Sequence, residues 1–299
     1  MRPDAVAPSP VLRFAPSPNG ALHLGHAYSA LCNARLAAVL GGRLLLRIED
    51  LDRVRCKPHY EAALLDDLAW LGLRFEGRPR RQSEHADDYA GACARLEALG
   101  LVYPCFCSRA EIGRASAARD PDGAPLYPGT CRLLSRGERA ERLARGGRAA
   151  RRLDMRRAVE QMPVGILWQE FGEGSTPVER RADPASWGDV VLAGRDLAAS
   201  YHLAVTVDDA LQGVTDVVRG RDLLAATSVH RLLQELLGLP SPHYRHHRLV
   251  LDAKGAKLSK SRGSPSLGAL REKGASPAQI RAALGFGGDD CGGLSVTLS

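Results

Sequence analysis

The order of the first three elements restricts this chain to a small set of folds. Val11 to Ala15 is a short apolar run that predicts a buried strand, and the turn residues Pro16 to Gly20 follow it. The segment from Leu24 to Leu40 predicts a helix, which Gly41-Gly42 ends. Arg43 to Ile48 predicts a second buried strand. This succession is a βαβ unit, which implies a parallel sheet with a right-handed crossover.

Chemically active residues lie where this unit is expected to bind ligands. Ligands of parallel sheets bind beyond the carboxyl ends of the strands, so Ser17 and Glu49 fall on the binding edge. His23 and His26 stand at the predicted helix start, where the helix dipole and the N–H groups favour an anion. Gly25 between them lets a ligand approach the backbone. A His-x-x-His pair by itself also fits a structural or a metal-binding role.

The lysines of this chain are rare and clustered. Only 5 lysines accompany 36 arginines, and three of them are Lys254, Lys257 and Lys260. A compact ammonium on a flexible stem differs from a rigid guanidinium fork. Together with the interleaved glycines and serines, this spacing predicts a loop that closes over phosphates. The alternative is a solvated charge run on a surface loop.

Together these segments resemble the paired HIGH and KMSKS signatures of class I aminoacyl-tRNA synthetases. The resemblance runs from about Val11 to Arg262, with mild departures at Asn19, Leu24 and Leu258. It is closest to the glutamyl branch. The segments that carry it are Arg13-Phe-Ala-Pro-Ser-Pro-Asn-Gly20, His23-Leu-Gly-His26, Arg47-Ile-Glu-Asp-Leu-Asp52, Tyr201-His-Leu-Ala-Val-Thr-Val-Asp-Asp209, Val217-Val-Arg-Gly-Arg-Asp222 and Lys257-Leu-Ser-Lys-Ser261.

The resemblance implies an α/β fold, with the Rossmann-like parallel sheet of a class I synthetase core. It also implies an inserted zinc-binding subdomain of the acceptor type. We expect no anticodon-binding domain, because few residues follow the KLSKS segment. The expected divisions are a disordered tail at 1–10, the first half of the catalytic domain at 11–100, the insertion at 101–185, the second half with the KLSKS loop at 186–265, and a short helical extension at 266–299.

Apolar patterning predicts further elements along the chain. Their ranges are helices at Tyr60–Leu71, His85–Leu99, Leu197–Val207, Leu223–Leu237 and Pro277–Leu284, strands at Asp189–Ala193 and Val214–Arg219, and a solvated basic surface from Ser135 to Arg157.

The resemblance also implies roles for site residues. A free amino acid with a carboxylate side chain needs two groups that bind anions and one that binds a cation, and arginine forks suit the carboxylates. Arg13, Ala15, Ser17, Glu49, Tyr201 and Arg219 are expected to bind glutamate, with Glu49 on the α-amino group. ATP is expected to contact His23, Gly25, His26, Lys257, Ser259 and Lys260, of which the histidines and lysines are the expected catalytic residues.

A second group of residues suggests a metal. Cys105-Phe-Cys107 and Cys131 would supply three thiolates for zinc, which prefers four ligands. Tyr127 lies four residues before Cys131, where simple packing of the ring is the plain alternative. Some short glutamyl-like synthetases have a Cys-x-Cys…Tyr-x-x-x-Cys zinc site. That resemblance implies one structural Zn²⁺ held by Cys105, Cys107, Tyr127 and Cys131.

Composition limits the setting of the protein. The 299 residues carry a net charge of +7, which suits a nucleic-acid partner. No apolar run approaches the roughly 18–20 residues of a membrane span. Seven cysteines are an odd count that does not indicate a disulfide framework, so a reducing cytoplasm is expected. We expect a monomer.

The chain has 38 residues after Ser261, too few for the anticodon-binding domain of a glutamyl-tRNA synthetase. Stand-alone cores of this kind resemble the glutamyl-queuosine tRNA(Asp) synthetases. That implies glutamate activation with ATP and Mg²⁺, then transfer to queuosine in the anticodon stem-loop of tRNA(Asp). Three alternatives stay open. They are a truncated glutamyl-tRNA synthetase charging an acceptor end, a nucleotidyltransferase for a small molecule, and a non-catalytic tRNA-binding module.

Overall fold

The βαβ unit expected at the start of the chain is present. The computed structural model describes residues 9–162, 164–172, 176–252, 255, 258, 264–287 and 297–298. Strand β1 (Val11–Phe14), helix α1 (Leu24–Val39) and strand β2 (Arg43–Ile48) follow one another, and β1 pairs with β2 in parallel. A Cβ at Gly42 would lie 2.5 Å from the carbonyl oxygen of Pro10, so only glycine fits where the helix returns to the sheet.

Among the described residues, the main sheet has seven strands and is mostly parallel, which confirms the α/β class with a Rossmann-like parallel sheet. Its order is β3-β2-β1-β9-β10-β6-β7, and within the described residues only the β6–β7 pair is antiparallel. The further strands are β3 (Arg80–Arg81), β6 (Leu167–Phe171), β7 (Pro177–Arg181), β9 (Asp216–Gly220) and β10 (His243–His247).

Two groups of helices cover this sheet, each with its own apolar core. One core joins α1 to α2 (Pro58–Trp70), α9 (Leu267–Glu272) and α10 (Pro277–Ala283) through Leu31, Leu68 and Ile280. The other joins α3 (Ala86–Ala98), α7 (Tyr201–Leu211) and α8 (Thr227–Leu237). Helices α1, α2, α3 and α10 begin and end within two residues of their predicted limits.

A smaller antiparallel sheet lies beside the main one. It consists of β4 (Val102–Cys105), β5 (Ala150–Leu153) and β8 (Val191–Ala193), with α4 (Arg109–Ala115), α5 (Arg136–Ala144) and α6 (Met155–Glu160) between the strands. The strand pairing crosses the division expected at residue 185. Strand β8 follows that residue yet belongs to the small sheet, whereas β6 and β7 precede it and extend the main sheet. Local apolar patterning carries no information about which strand a segment pairs with.

Several element limits differ from the prediction. Helix α7 begins at Tyr201 and not at Leu197, because the Ser200 hydroxyl accepts the N–H of Leu203 and caps the helix there. Helix α8 begins at Thr227, four residues after the expected start. The segment expected to be a solvated surface is exposed along α5, but its end contains the buried residues Leu153 and Met155.

Both ends of the chain differ from the prediction in part. Residues 1–8 of the expected tail lie outside the described residues, and the Pro10 carbonyl accepts the N–H of Arg43 at 2.8 Å. The C-terminal extension holds α9 and α10, as expected of a helical segment. It also holds β12 (Thr297–Leu298), which pairs with β11 (Val250–Leu251). In the part of the chain that the structure describes, no helix is long and apolar enough to cross a membrane.

Candidate active site

The sequence-predicted binding residues meet around one cavity. It has a volume of about 650 Å³ and lies beyond the carboxyl ends of β1, β2 and β9, where ligands of parallel sheets bind. Leu258, buried against the core of α1, also borders the cavity. Lys257, Ser259 and Lys260 lie outside the described residues. The predicted residues that line the cavity are Arg13, Ala15, Ser17, His23, Gly25, His26, Glu49, Tyr201 and Arg219.

The two histidines cap helix α1. The N–H of Gly25 donates to Nδ1 of His23, and the N–H of His23 donates to Nδ1 of His26, each at 3.1 Å. In a neutral imidazole whose Nδ1 accepts, the proton is on Nε2, so each ring presents an N–H donor on its other side. A Cβ on Gly25 would lie 3.0 Å from the His23 ring, so a larger residue would displace the cap.

Arg219 is a buried cation with neutral partners. Its Nε donates to Nε2 of His246 at 3.1 Å, Nη1 lies 3.0 Å from Nδ1 of His230, and Nη2 donates to the hydroxyl of Thr227 at 2.7 Å. Among the described residues, no carboxylate lies within ion-pair distance of this guanidinium. A buried charge requires a counter-charge, so the cavity next to it is suited to an anion.

Arg13 has a different environment. Its Nε donates to Asp209 at 2.9 Å, and the same carboxylate accepts from the fully buried Arg47 at 2.7 Å. Burial by itself would raise the pKa of Asp209, but Arg13 and Arg47 outweigh burial and hold that pKa below its ordinary value. Asp209 therefore stays ionised and holds Arg13 at the cavity wall.

Glu49 combines burial with flanking charges of both signs. Burial, opposed by Arg47 and Arg13, raises the pKa of Glu49 to about 7. Its closest ion pair is with Arg47, at 3.5 Å. Its backbone carbonyl accepts the Ser17 hydroxyl at 2.7 Å, which ties the end of β1 to the end of β2. Glu49 thus becomes a better acceptor for a cation as the pH rises through 7.

Tyr201 connects the cavity with a second, larger cleft. This cleft, about 1120 Å³ in volume, lies between the main sheet and the small sheet. Tyr201 and Arg55 border both spaces. The exposed side chains of Arg53, Arg109 and Arg195 also line the cleft, which gives it a basic wall suited to phosphates.

The predicted zinc ligands form a separate cluster. The sulfur atoms of Cys105, Cys107 and Cys131 all lie within 4.8 Å of one another, with 3.5 Å between Cys107 and Cys131. The Tyr127 hydroxyl is 3.7 Å from the Cys107 sulfur and accepts the N–H of Cys131 at 2.8 Å. Zinc–sulfur bonds of about 2.3 Å in a tetrahedron separate the sulfurs by roughly 3.8 Å, so the donor set fits the metal.

Three residues at the site were not predicted. Asp209 holds Arg13, while His230 and His246 hold Arg219. Asp209 is the last residue of a segment that carries the resemblance, so the sequence could have pointed to it. Nothing in the sequence identifies Arg13 as its partner. His246 lies among other histidines on β10, and no local pattern distinguishes it from its neighbours.

Comparisons with known proteins agree with this geometry. Residues 11–288 match the family described as tRNA synthetases class I (E and Q), catalytic domain. The glutamyl-Q tRNA(Asp) synthetase of Rhodobacter capsulatus is 45% identical over 285 residues, which are 92% of this chain and 100% of that protein. Glutamate--tRNA ligase 2 of Nitrosococcus oceani is 40% identical over 95% of this chain but only 61% of its own length.

A solved structure gives the same result. The glutamate tRNA ligase from Elizabethkingia meningosepticum superposes with a TM-score of 0.74 at 26% identity, over 92% of this chain and 60% of that one. The parallel core with its cavity at the carboxyl edge is that of a class I synthetase catalytic domain, and the chain belongs to the class I (E and Q) tRNA synthetase family. Within that family the chain is similar to glutamyl-Q tRNA(Asp) synthetases, as its sequence indicated, and it is a ligase.

Proposed function

We propose that this ligase activates glutamate with ATP and transfers it to queuosine in the anticodon loop of tRNA(Asp). The observation that carries the proposal is Arg219. It is a buried guanidinium without a carboxylate partner among the described residues, and it lines the same cavity as the histidine pair. An amino acid with an acidic side chain supplies the missing counter-charge.

Glutamate binding follows from the charges around the cavity. Arg219 and Arg13 bind the two carboxylates, and Glu49 accepts the α-ammonium group. The Tyr201 hydroxyl orients the substrate at the entrance. Ala15 and Ser17 line the same cavity.

Activation of glutamate depends mainly on positioning the two reactants and on stabilising the charge of the phosphates. The α-carboxylate of glutamate attacks the α-phosphorus of ATP and pyrophosphate leaves, which forms glutamyl-adenylate. His23 and His26 stand at the start of α1 and would bind the phosphates through Nε2, and Gly25 would let a phosphate approach the backbone. Lys257, Ser259 and Lys260 would neutralise the leaving pyrophosphate. Mg²⁺ bound to ATP supplies further charge neutralisation.

Transfer requires a nucleoside beside the adenylate. A hydroxyl of the queuosine ring attacks the acyl carbon, and AMP leaves. We assign entry of the anticodon stem-loop to the basic cleft, since Tyr201 joins that cleft to the cavity. The choice of queuosine is supported by the name of the relative from Rhodobacter capsulatus, which this chain matches over that protein's full length.

Cys105, Cys107, Tyr127 and Cys131 are proposed to hold one structural Zn²⁺. The metal would fix the loop that follows β4 to the turn around Cys131. The cluster does not border the 650 Å³ cavity, so the metal is assigned to folding and tRNA docking. We propose that the enzyme acts as a monomer in the cytoplasm, where its tRNA is found.

The test is glutamate transfer to tRNA(Asp) with and without queuosine. A short anticodon hairpin bearing queuosine should accept glutamate, and the same hairpin with guanosine should accept none. Glutamate recovered on the terminal adenosine after ribonuclease digestion of the charged tRNA would instead make the chain a glutamyl-tRNA synthetase. Absence of glutamate-dependent ATP–pyrophosphate exchange would leave the nucleotidyltransferase for another small molecule and the non-catalytic tRNA-binding module.

A further inference from the structure

Arg219, His246 and Glu170 form a row across three neighbouring strands of the main sheet. The parallel register of β9 and β10 places His246 beside Arg219, and β6 brings Glu170 next to β10. Nδ1 of His246 lies 2.8 Å from Oε2 of Glu170, and the backbone N–H of His246 donates to Oε1 at 3.0 Å. The indole of Trp168 donates to the same carboxylate at 3.2 Å, so Glu170 is held in place from two sides.

Arginine determines the tautomers of the histidines around it. A guanidinium only donates hydrogen bonds, so Nε2 of His246 accepts from Arg219. The proton of His246 is then on Nδ1, where it is donated to Glu170. The same reasoning applies to His230, whose Nδ1 accepts from Arg219 and whose Nε2 donates to Nδ1 of His202 at 3.2 Å.

The protonation states agree with this arrangement. Burial would raise the pKa of Glu170, but the hydrogen bonds from His246 and Trp168 outweigh burial and lower that pKa, so Glu170 is ionised. Burial lowers the pKa of His246, and burial together with Arg219 lowers that of His230 well below its ordinary value. A neutral imidazole therefore separates the carboxylate of Glu170 from the guanidinium of Arg219.

We propose that Glu170, acting through His246, is a positioning residue that determines amino-acid specificity by keeping Arg219 available to an acidic side chain. This inference rests on the proposed function and identifies what sets the substrate class. A carboxylate in direct contact with Arg219 would neutralise it and compete with the substrate. Glu170 instead fixes His246 as a neutral acceptor, so that a counter-charge stays near Arg219. Each Nη group of Arg219 has a second N–H, beyond those directed at His230 and Thr227, to bind substrate.

A double-mutant cycle tests the relay. Glu170→Gln removes the charge and lets His246 adopt the other tautomer. The KM for glutamate in ATP–pyrophosphate exchange should rise roughly tenfold, as expected for weakening a charge-assisted hydrogen bond, with the KM for ATP unchanged. Selectivity for glutamate over glutamine should fall in parallel.

His246→Gln provides the rescue. Its amide oxygen accepts from Arg219 whatever stands at position 170, so this variant should keep the KM for glutamate within about threefold of wild type, whereas His246→Ala should not. Adding Glu170→Gln to His246→Gln should then change that KM by less than about twofold. His243→Ala is the matched control, since His243 is half-exposed on the same strand, beside Asp216 and away from the cavity.

Additive effects of the two substitutions would show that Glu170 acts on folding and not through His246. A parallel rise of the KM for ATP would contradict the proposal in the same way. If either variant fails to fold, ¹⁵N-histidine NMR of the wild-type protein tests the relay directly. The two neutral tautomers of His246 have different nitrogen chemical shifts, so the spectrum shows which nitrogen carries the proton. A His246 ring protonated on Nε2, or on both nitrogens, at neutral pH would overturn the relay.

The same measurements separate this inference from the proposed function. If the wild type activates no glutamate, the proposed function fails, while the NMR result still reports whether His246 carries its proton towards Glu170. If the wild type activates glutamate and the cycle is additive, only the relay fails.

Discussion

At the scale of single residues, the two arginines at the cavity differ in the charge of the groups that they contact. Asp209 lies between Arg13 and Arg47, so the charge of Arg13 is balanced by a carboxylate within the protein. Arg219 meets only neutral acceptors among its described partners. Arg219 therefore has more to gain from an anionic ligand than Arg13 has, and we expect it to select the side chain of the substrate.

Replacing Arg219 by alanine should raise the KM for glutamate by roughly 10- to 100-fold, the usual cost of losing a hydrogen bond to a charged group. The KM for ATP should change much less, as ATP–pyrophosphate exchange at varied substrate would show. Arg219→Lys should restore little, because an ammonium lacks the fork. Equal activation of glutamine and glutamate by the wild type would contradict this role.

Glu49 predicts a pH dependence. Its pKa of about 7 means that binding of the α-ammonium group must remove a proton at lower pH. The KM for glutamate should thus rise towards tenfold per pH unit below 7, and the rise should be absent in Glu49→Gln. A pH-independent KM between 5.5 and 7 in the wild type would contradict the assignment.

The raised pKa of Glu49 has the opposite effect on the stability of the fold: a rise in pH favours glutamate binding but lowers the free energy of unfolding. Unfolded Glu49 releases its proton near its ordinary pKa of 4.5, whereas folded Glu49 keeps it to about 7. The contribution of this group to the free energy of unfolding is therefore fully present below 4.5 and is lost as the pH rises through 7. Denaturant unfolding of wild type and Glu49→Gln across that range measures the difference.

At the scale of elements, the start of α1 has both a structural and a chemical role. The His23 ring caps the helix through Nδ1, and the ring also borders the cavity. Asparagine is a good N-cap residue, whereas alanine is a poor one. One position thus allows the two roles to be separated.

His23→Ala should lower the free energy of unfolding by about 1 kcal/mol through loss of the cap. Glutamate-dependent exchange should fall roughly 10²–10³-fold, as for the loss of a donor at a centre of developing charge. His23→Asn should regain the stability but not the activity, which denaturant unfolding and exchange assays would show. Recovery of activity along with stability would leave His23 a purely structural role.

The cysteine cluster brings together two segments that lie 25 positions apart in the chain. The N–H of Phe106 donates to the Cys131 sulfur at 3.3 Å, which brings the end of β4 to the turn that contains Cys131. A metal at this point would stabilise the small sheet and its loops, since binding energy at a structural site is folding energy.

Purified protein should contain about one zinc per chain, and Cys131→Ser should lose it and have a lower melting temperature. Cys93→Ser is the control, because Cys93 is buried in α3 away from the cluster. Plasma emission spectrometry of freshly reduced protein measures the metal. A metal-free wild type, or equal metal in both variants, would refute the site.

At the scale of the whole molecule, the main sheet and the small sheet together form a cleft that neither sheet has by itself. The basic cleft lies between them and meets the 650 Å³ cavity at Tyr201. A net charge of +7 adds attraction for a polyanion over the whole surface. Nucleic-acid binding should therefore depend on phosphate contacts and weaken steeply with salt.

Arg109→Ala should weaken tRNA binding at low salt and reduce the salt slope by about 1, as expected for the loss of one phosphate contact. ATP–pyrophosphate exchange should be unchanged, because Arg109 does not border the smaller cavity. Arg43→Ala is the matched control, since Arg43 is exposed at the start of β2, the opposite edge of the sheet. Equal loss of tRNA affinity in both variants would contradict the assignment of the cleft.

The sequence by itself determined the first βαβ unit and the edge at which the site lies. Short apolar runs, glycine stops and the alternation of strand and helix produce a βαβ unit, whose carboxyl edge must present residues 15–17 and Glu49. The segment resemblance was sufficient to bring Tyr201 and Arg219, from far along the chain, to the same cavity. These features depend on local patterns and on the direction of parallel strands.

The tertiary structure alone decided which strands pair and which charges meet. Strands β6 and β7 extend the main sheet while β8 pairs with the insertion, because pairing depends on contacts between distant segments. Arg13 and Asp209 are separated by 196 positions, and Arg219 is held by His246, which a third strand links to Glu170. Buried charges such as these meet partners from distant parts of the chain only when the strands are packed in their final order. Local sequence patterns therefore do not show which charges pair.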